Sequence, residues 1–438
     1  MAKKSSAAIA LVATGGILLA GCSGGGGASD ADNTIDGEVK GDITFLTWRT
    51  DLEQDGTFDK YVEEFEKKYP DVNVTVDALS DYPAQMQTRM STTNYGDVFG
   101  IPTIQPDQYE QFLEPLGKTA DFEDKYRFLP SSSFEGTQYG VAWGGNANGV
   151  VYNKRIFDEA GVTELPTTEK EWLDALQKVK DNTDAIPLYT NYKDGWPLSQ
   201  SFGNLGGVTN DPDAPVTLAE DPAPWTEGTD VYAIDSLLYE SVAAGLTEED
   251  PLTTDWEQSK VDLGTGKIAA MTLGSWAVSQ MKAKAEENGA SADDIGFFAF
   301  PANVDDEQYA VIGGDYNLGI SKHSKSKAAA WAWLQWLVEE SGYTQTQGMI
   351  STLISDPLPD SLVAFEAAGV NLLEINPAPA GKEALLNETS NDAQIDLYGP
   401  IYRQKLVDIA RGAADGDKES YFAELNDKWG AAVENLAG

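Results

Sequence analysis

The chain has 438 residues, which is more than one ordinary compact core holds and enough for two packed lobes. Hydrophobic residues make up 41% of it and charged residues 23%, as in an ordinary folded protein. The net charge of −41 argues against nucleic acid and anionic lipid as partners, because both would be repelled, and it favours a neutral or cationic ligand; solubility alone is the alternative reason for the high acidity.

The N-terminus is typical of an export signal. Two early lysines precede an apolar run over 7–19 that is too short to span a bilayer as a mature helix. The following Leu19-Ala20-Gly21-Cys22 looks like a bacterial lipobox, in which cleavage leaves a lipid-modified Cys22 as the first residue. Cys22 is the only cysteine, so it has no disulfide partner. We predict a signal peptide over 1–21 and lipid on Cys22; a non-lipidated signal peptide is the alternative.

Residues 22–39 consist of the predicted lipidated cysteine followed by a stretch that is rich in Gly, Ser and Asp and has very few apolar side chains to bury. This composition predicts a flexible tether between the membrane and the folded part. The lipobox and the tether together predict a protein held on the outer face of the cell membrane, and they suit a Gram-positive surface.

The first folded unit alternates strands and helices. Three β-type runs predict strands, at 43–48, 72–76 and 97–101. The first helix between them has an apolar stripe at i, i+3, i+4 and i+7, formed by Phe58, Tyr61, Val62 and Phe65. A second helix is predicted over 85–90. Alternation of this kind is typical of a parallel α/β sheet.

A second unit is predicted after Trp143, where a strand over 150–154 leads into a helix. Thr168 and, three residues later, Glu171 form a capping box that predicts the start of another helix. The helical spacing of Trp172 and Trp429 with aliphatic residues indicates core positions.

Three motifs follow one another in the order found in a known family. The first joins Tyr139-Gly140-Val141, Tyr152-Asn153-Lys154 and the helix start Pro166-Thr167-Thr168. The second is the run 266–271 followed by Gly274-Ser275-Trp276, and the third is Gly313-Gly314 with a Trp-rich helix behind it. On these motifs the chain resembles the extracellular solute-binding proteins of the maltose-binding type, which deliver sugars to ABC importers.

The resemblance implies an α/β fold of the periplasmic-binding-protein type, class II, with two lobes hinged around a solute cleft. Carried onto this sequence, the N-terminal lobe comprises 40–149 plus 314–358, and the C-terminal lobe 150–313 plus 359–438. The chain would cross between lobes near 148–150 and near 312–315. The implied partners are an oligosaccharide and the permease subunits, and the implied state is a monomer.

A sugar ring has an apolar C–H face and a hydroxyl rim, so its site needs aromatic side chains with polar groups beside them. Trp276 follows a predicted strand and corresponds to a sugar-stacking position in the family, with a core tryptophan as the alternative. Trp196, with Lys193 as a weaker polar companion, corresponds to a cleft segment. Trp48 lies at the end of the first predicted strand and Asp51 follows shortly after it, at the strand end where ligands bind in parallel sheets.

The remaining candidates come from the predicted crossings and a late segment. The resemblance implies a polar sugar ligand at Asn146, with Trp143 near it, and places Asp315 and Tyr316 where the second crossing faces the cleft. Tyr398 and Asp396 are similar to a late cleft segment of the family.

Catalytic and metal chemistry finds little support in this sequence. The only histidine, His323, lies in a polar run, and one His with one Cys cannot give zinc spacing. Asp30 and Asp32 are spaced like the first ligands of an EF-hand calcium loop, but the Gly at loop position six and the Glu at position twelve are missing. We therefore predict no cofactor, no metal and no enzymatic activity. The rivals are a secreted glycoside hydrolase, since two carboxylates suffice for it, and a polysaccharide-binding adhesin without an importer.

Overall fold

The computed structural model describes residues 33–80, 82–102, 104–303 and 307–437. The predicted signal peptide, Cys22 and the first part of the predicted tether lie outside the described residues. In the part that is described, every helix is too short or too polar to cross a lipid bilayer.

The strands and helices alternate along most of the chain. The strands are β1 Gly41–Thr47, β2 Val72–Ala78, β3 Val98–Gly100, β4 Gly117–Lys118, β5 Ser133–Phe134, β6 Thr137–Gln138, β7 Gly140–Ala142, β8 Gly145–Asn153, β9 Ile186–Leu188, β10 Ile268–Gly274, β11 Ile295–Ala299, β12 Tyr309–Gly314, β13 Asn317–Ile320 and β14 Asn371–Glu374. The α-helices are α1 Thr50–Gln54, α2 Thr57–Lys68, α3 Tyr82–Met90, α4 Tyr109–Phe112, α5 Lys154–Ala160, α6 Glu169–Asn182, α7 Trp196–Ser199, α8 Ala214–Glu220, α9 Asp230–Ala243, α10 Trp256–Thr265, α11 Trp276–Glu287, α12 Lys327–Glu339, α13 Tyr343–Gln347, α14 Asp360–Ala368, α15 Leu385–Ala393, α16 Ile401–Ala410 and α17 Lys418–Ala437. A short 3-10 helix, Gln200–Asn204, follows α7 directly.

The first lobe is built on a sheet with the order β2-β1-β3-β13-β7. β1 runs parallel to β2 and β3, while β13 is antiparallel to β3 and β7. The predicted apolar stripe of α2 is confirmed, since Phe58, Tyr61 and Phe65 are buried in the same core as Trp333 of α12. Burial of these large rings on the sheet holds the C-terminal end of β1 in a fixed position.

The second lobe is built on a sheet with the order β14-β12-β8-β10-β9, in which β11 also pairs with β8. The predicted helix start at Thr168 is confirmed: its hydroxyl accepts a hydrogen bond from the backbone N–H of Glu171. The Glu171 carboxylate reaches back to Thr167 rather than to Thr168. The C-terminal helices pack on this lobe, where Arg403 of α16 is paired with Asp235 of α9 with both side chains fully buried.

Two adjacent antiparallel segments carry the chain from one sheet to the other. β7 in the first sheet leads into β8 in the second, and β12 in the second leads into β13 in the first. At the change of sheet, Trp143 N–H donates to the carbonyl of Tyr316 (3.1 Å) and Asp315 N–H to that of Gly144 (2.9 Å). The first crossing therefore lies at Trp143–Gly144, ahead of the predicted 148–150, because β8 belongs wholly to the second sheet. This arrangement confirms the predicted two-lobed α/β fold.

The described end of the predicted tether packs on the first lobe. The Asn33 side chain accepts a hydrogen bond from Lys327 N–H at the start of α12 and donates one to the carbonyl of Ser324. Ile35 and Val39 are partly buried against the first-lobe core. The prediction of a free tether over the whole of 22–39 is therefore wrong for its last seven residues, 33–39. Composition alone did not show that this stretch contains apolar side chains and a capping side chain that contact the first lobe.

Candidate functional site

A cavity of about 610 Å³ lies between the two lobes, over the crossing segments. Its lining comes from the end of β1, α1, α13, α11, the 3-10 helix after α7, and the crossings. The lining residues are Trp48, Arg49, Asp51, Asn146, Gln200, Trp276, Ser279, Gln280, Asp315, Tyr343, Gln347 and Met349. Five of the predicted residues are thus brought together: Trp48, Asp51, Asn146, Trp276 and Asp315.

Trp48 forms the aromatic wall of the first lobe. Its ring stacks on Tyr316, with centroids 4.0 Å apart, and meets Tyr82 edge-on at 5.7 Å. A Cβ at position 100 would come within 2.4 Å of the Trp48 ring, so Gly100 provides the space in which the indole lies. Tyr316 therefore supports Trp48 from behind and is not itself among the lining residues.

Arg49 ties the polar side of this wall together. Its guanidinium makes a two-pronged ion pair with the Asp51 carboxylate, at 2.8 and 2.6 Å. It also donates to the Tyr343 hydroxyl at 2.6 Å and to the Gln347 side-chain oxygen at 2.8 Å. The hydrogen bonds from Arg49 lower the pKa of Asp51, so this carboxylate is charged at neutral pH.

Trp143 does not line the cavity, which corrects its prediction as a ligand contact. Its side chain is 0% exposed and stacks on Tyr343, with centroids 4.0 Å apart and planes 14° apart. Tyr343 lies between Trp143 and the cavity. Burial raises the pKa of Tyr343, so its hydroxyl is protonated at neutral pH and can accept from Arg49 while donating to a ligand.

Trp276 forms the aromatic wall of the second lobe. It is the first residue of α11 and is separated from the end of β10 by Ser275 alone, as its position after a predicted strand suggested. The preceding Ser275 is fixed by the buried backbone of Ala147, to whose carbonyl its N–H donates and from whose N–H its hydroxyl accepts. The strand end and the crossing therefore set the position of this indole.

Trp276 forms a cluster with two other tryptophans, Trp196 and Trp256. Trp196 meets Trp256 edge-on with centroids 4.8 Å apart and lies 6.0 Å from Trp276, while Trp256 lies 5.9 Å from Trp276. The Lys260 ammonium lies 5.4 Å from the Trp256 ring centroid. Trp196 is 38% exposed and flanks the cavity without being part of its lining.

Two polar side chains of the crossings face the cavity floor. The Asn146 side-chain oxygen is buried and has no hydrogen-bond partner among the described residues. Burial raises the pKa of Asp315, while Tyr316 N–H and the charge of Arg49 act in the opposite direction. A hydroxyl-bearing ligand could satisfy both groups, since each hydroxyl donates and accepts.

Besides Trp143, Tyr316 and Trp196, three more predicted residues are absent from the cavity lining. Lys193 is exposed, and its backbone N–H donates to the Thr254 hydroxyl. Tyr398 is 59% exposed and meets Phe202 edge-on at 5.3 Å. Asp396 is exposed and accepts a hydrogen bond from the N–H of Gly399.

Sequence reasoning missed seven lining residues and one supporting tryptophan. They are Arg49, Gln200, Ser279, Gln280, Tyr343, Gln347 and Met349, with Trp256 behind Trp276. Ser279 and Gln280 stand three and four residues after Trp276, so helical spacing could have found them. Arg49 directly follows Trp48 at the end of β1, so its place beside a predicted ligand residue could have found it. The α13 residues lie far along the sequence and gave no comparable signal.

The cavity pairs aromatic faces with donors and acceptors and has no cluster suited to a metal. Within the described ranges, no group of three or more His, Cys, Asp or Glu side chains could hold an ion. Indole faces from both lobes and a polar rim fit an uncharged, hydroxyl-rich ring compound.

Comparison with known proteins agrees with this geometry. Residues 49–344 match the sequence profile of a family described as bacterial extracellular solute-binding protein. A binding protein of an ABC transporter from Bifidobacterium animalis subsp. lactis, solved with mannobiose, is 35% identical with a TM-score of 0.81. The alignment covers 91% of this chain and 95% of that one.

Two further proteins are similar over most of their length. A manno-oligosaccharide-specific solute-binding protein of the same organism, solved with mannotriose, is 35% identical with a TM-score of 0.80, covering 91% of this chain and 95% of its own. The diacetylchitobiose binding protein of Streptomyces coelicolor is 25% identical over 358 residues, which are 78% of this chain and 81% of that protein.

Proposed function

Because the chain belongs to the family of bacterial extracellular solute-binding proteins, we propose that it captures an oligosaccharide between its lobes and delivers it to the permease of an ABC importer. Lipid on Cys22 would hold it at the outer face of the membrane. The sugar would be released to the permease unchanged.

One observation carries the proposal: Trp48 and Trp276 line one cavity from opposite lobes. Each indole offers a flat apolar face to the C–H face of a pyranose ring. Between them stand the Arg49 guanidinium and the unpartnered Asn146 oxygen, which can donate to and accept from sugar hydroxyls. This combination supports a neutral glycan rather than an ionic ligand, and it agrees with a chain whose net charge of −41 repels anions.

The sugar class is proposed from the similar proteins. Two of them, each 35% identical, were solved with mannobiose and with mannotriose. Oligomers of mannose are therefore the first candidates, and N-acetylated chito-oligosaccharides are the second because of the diacetylchitobiose binding protein.

Binding would favour a closed arrangement of the lobes. A ligand that touches Trp48 and Trp276 together binds tightly only when both lobes approach it, so it shifts the population toward closure. The permease would then recognise the closed form. Trp48 and Trp276 in the lining, with Trp196 and Trp256 beside them, should make closure visible in intrinsic fluorescence.

Titration calorimetry with mannobiose, mannotriose, diacetylchitobiose and raffinose tests the proposal, using intrinsic fluorescence as a second readout. We expect saturable binding of at least one of these sugars with a fluorescence change at the same midpoint. A protein that binds none of them, and no other glycan of a wider panel, would overturn it.

The rival glycoside hydrolase needs two carboxylates at the cavity, and Asp51 and Asp315 are both there. Both oxygens of Asp51 are hydrogen-bonded to Arg49, which leaves this group poorly placed as a nucleophile or base. Chromatography of the bound sugar after long incubation separates the two functions: a carrier returns it intact, and appearance of shorter products would favour hydrolysis.

Delivery and anchoring need their own test in cells. Replacement by Cys22→Ser should release the protein from the membrane fraction and slow growth on the bound sugar. Deletion of the permease genes should abolish that growth if the protein delivers sugar to them. If the protein is an adhesin, the same deletion should leave growth unchanged.

A further inference from the structure

A second chamber opens beside the interlobe cavity, between α11 of the second lobe and α13 of the first. It has a volume of about 400 Å³. Its lining includes Val278, Ser279 and Lys282 of α11, Thr346 of α13, Met349, and Ser361 of α14. Its floor is the segment that leads from α13 back to the second lobe and into α14.

The chamber and the main cavity share two lining residues, Ser279 and Met349. Ser279 lies one helical turn after Trp276, so a group that continues past the Trp276 ring along α11 meets Ser279 and then Lys282. Another hollow beside the cleft, of about 330 Å³ near Asn148 and Gly313, shares no lining residue with the main cavity. Of these two hollows, the one toward α13 and α14 is continuous with the main cavity through shared residues.

The chemistry of the chamber matches that of a sugar unit. Its hydroxyl and amide groups can pair with a hydroxyl rim, and the segment Pro357, Leu358 and Pro359 with Val278 offers an apolar face. The Ser361 hydroxyl, which belongs to this lining, is buried and has no partner among the described residues. A buried polar atom without a partner costs free energy until a ligand or water satisfies it.

Lys282 adds a donor in the same chamber. Its ammonium takes part in none of the ion pairs found among the described side chains, although acidic residues outnumber basic ones by 71 to 30. Because it is half-buried beside the cleft, it can donate to a ring or hydroxyl oxygen that enters from the Trp276 side.

From these observations we propose that the chamber between α11 and α13 is a further subsite, which takes the third or later unit of an oligosaccharide whose first units lie between Trp48 and Trp276. The inference rests on the proposed function and sharpens it: the preferred ligand has at least three sugar units. A unit in the chamber touches both lobes, so it adds to the stabilisation of the closed form.

Calorimetry with mannose, mannobiose, mannotriose and mannotetraose tests the subsite on the full chain and on two variants. Thr346→Trp fills the chamber from an exposed position of α13 that does not line the main cavity. Ser361→Ala removes the unpartnered hydroxyl and leaves the volume. The matched control is Thr88→Trp, because Thr88 is likewise an exposed helical threonine whose hydroxyl bonds a backbone carbonyl.

For the unmodified protein we expect affinity to rise at least fivefold from mannobiose to mannotriose or mannotetraose. Thr346→Trp should keep mannobiose affinity within twofold and abolish the rise, and Ser361→Ala should reduce the rise severalfold. Thr88→Trp should behave as the unmodified protein does.

Three results would overturn the subsite. They are equal affinity for all lengths in the unmodified protein, an unchanged rise in Thr346→Trp, or an equal loss for every length in that variant. If one of these results is found and the unmodified protein still binds mannobiose, the subsite is wrong but the proposed function is retained. Absence of binding to all four sugars would overturn the subsite together with the mannose assignment.

Discussion

The Arg49 guanidinium donates a 2.6 Å hydrogen bond to the Tyr343 hydroxyl while its centre lies 5.5 Å from the centroid of the same ring. This contact joins the end of β1 to α13, which are almost three hundred residues apart in sequence. Tyr343 in turn rests on the buried Trp143 at the crossing. One guanidinium thus links the cavity wall to the segments on which the lobes are joined.

The first prediction concerns this link. Arg49→Ala removes the bonds to Asp51, Tyr343 and Gln347 and leaves the Asp51 carboxylate without its cation. Hydrogen bonds to charged groups each contribute about 1.5–3 kcal/mol, so we expect sugar affinity to fall at least tenfold and the melting temperature to drop by several degrees. Calorimetry and thermal unfolding measure the two effects.

The control for Arg49 is Arg89→Ala. Arg89 also pairs with an aspartate, Asp77, at 2.9 Å, but on the first-lobe surface away from the cavity. It should change affinity by less than twofold. If both arginine variants bind alike, the assignment of Arg49 to the sugar site is wrong.

The second prediction concerns stacking. Trp276→Ala removes the second-lobe indole face from the cavity, and we expect at least a tenfold loss of affinity, about 1.4 kcal/mol, with the fold retained. Trp331→Ala is the control, since Trp331 is partly buried on α12 and meets Phe122 rather than the cavity. Calorimetry that gives the Trp276 variant normal affinity would count against the whole site.

The fold and the family could be predicted from sequence because they depend on local pattern. The stripe of Phe58, Tyr61 and Phe65, the capping pair at Thr168, and the ordered motifs each act over a few residues, and all of them led to the two-lobed fold. The family assignment made from the three motifs is confirmed by the match over residues 49–344.

The site was only partly predictable, because much of it is made by contacts distant in sequence. Trp276 and Trp48 stand at strand ends, where position along one strand is informative. Trp143 stands at a crossing too, yet its orientation depends on Tyr343, which lies two hundred residues later and fills the space in front of it. No local pattern distinguishes an indole that faces the cleft from one that supports the cleft wall.

The third prediction tests the tryptophan cluster. Trp256 does not line the cavity but lies against Trp196 and Trp276. Since an aromatic pair contributes about 0.5–1.5 kcal/mol beyond its buried area, Trp256→Ala should weaken sugar binding about three- to tenfold by loosening Trp276.

A double-mutant cycle with Trp276→Ala shows whether Trp256 acts through its neighbour. The combined variant should have the same sugar affinity as Trp276→Ala alone, because Trp256 can no longer position an indole that has been removed. Additive losses would mean that Trp256 contacts the sugar itself.

The fourth prediction concerns the N-terminal segment on the first lobe. A chain that starts at Asn33 keeps the hydrogen bonds to Lys327 and Ser324 and the packing of Ile35 and Val39. A chain that starts at Gly41 loses them all, so its melting temperature should be several degrees lower while sugar affinity is unchanged. Equal melting temperatures would show that the segment contributes nothing to stability.

The fifth prediction uses two aspartates of the cavity whose pKa values are displaced in opposite directions. Burial raises the pKa of Asp315, so its charged form costs stability at neutral pH, and the cost disappears as pH falls through the raised value. The hydrogen bonds from Arg49 lower the pKa of Asp51, so its charged form stabilises the fold at neutral pH, and this is lost as pH falls through the lowered value.

Denaturant unfolding of Asp315→Asn and Asp51→Asn at several pH values from about 7.5 down to about 3 tests whether each carboxylate lowers or raises the free energy of unfolding. Asp315→Asn should be more stable than the unmodified protein at neutral pH, with the difference shrinking on acidification. Asp51→Asn should be less stable at neutral pH, by a smaller amount because its side chain is largely exposed and screened, and it should converge with the unmodified protein only at the acid end. If Asp315→Asn instead lowers stability at neutral pH, the Asp315 carboxylate is held by attraction to Arg49 more strongly than burial opposes it, and the cavity floor is more polar than its geometry indicates.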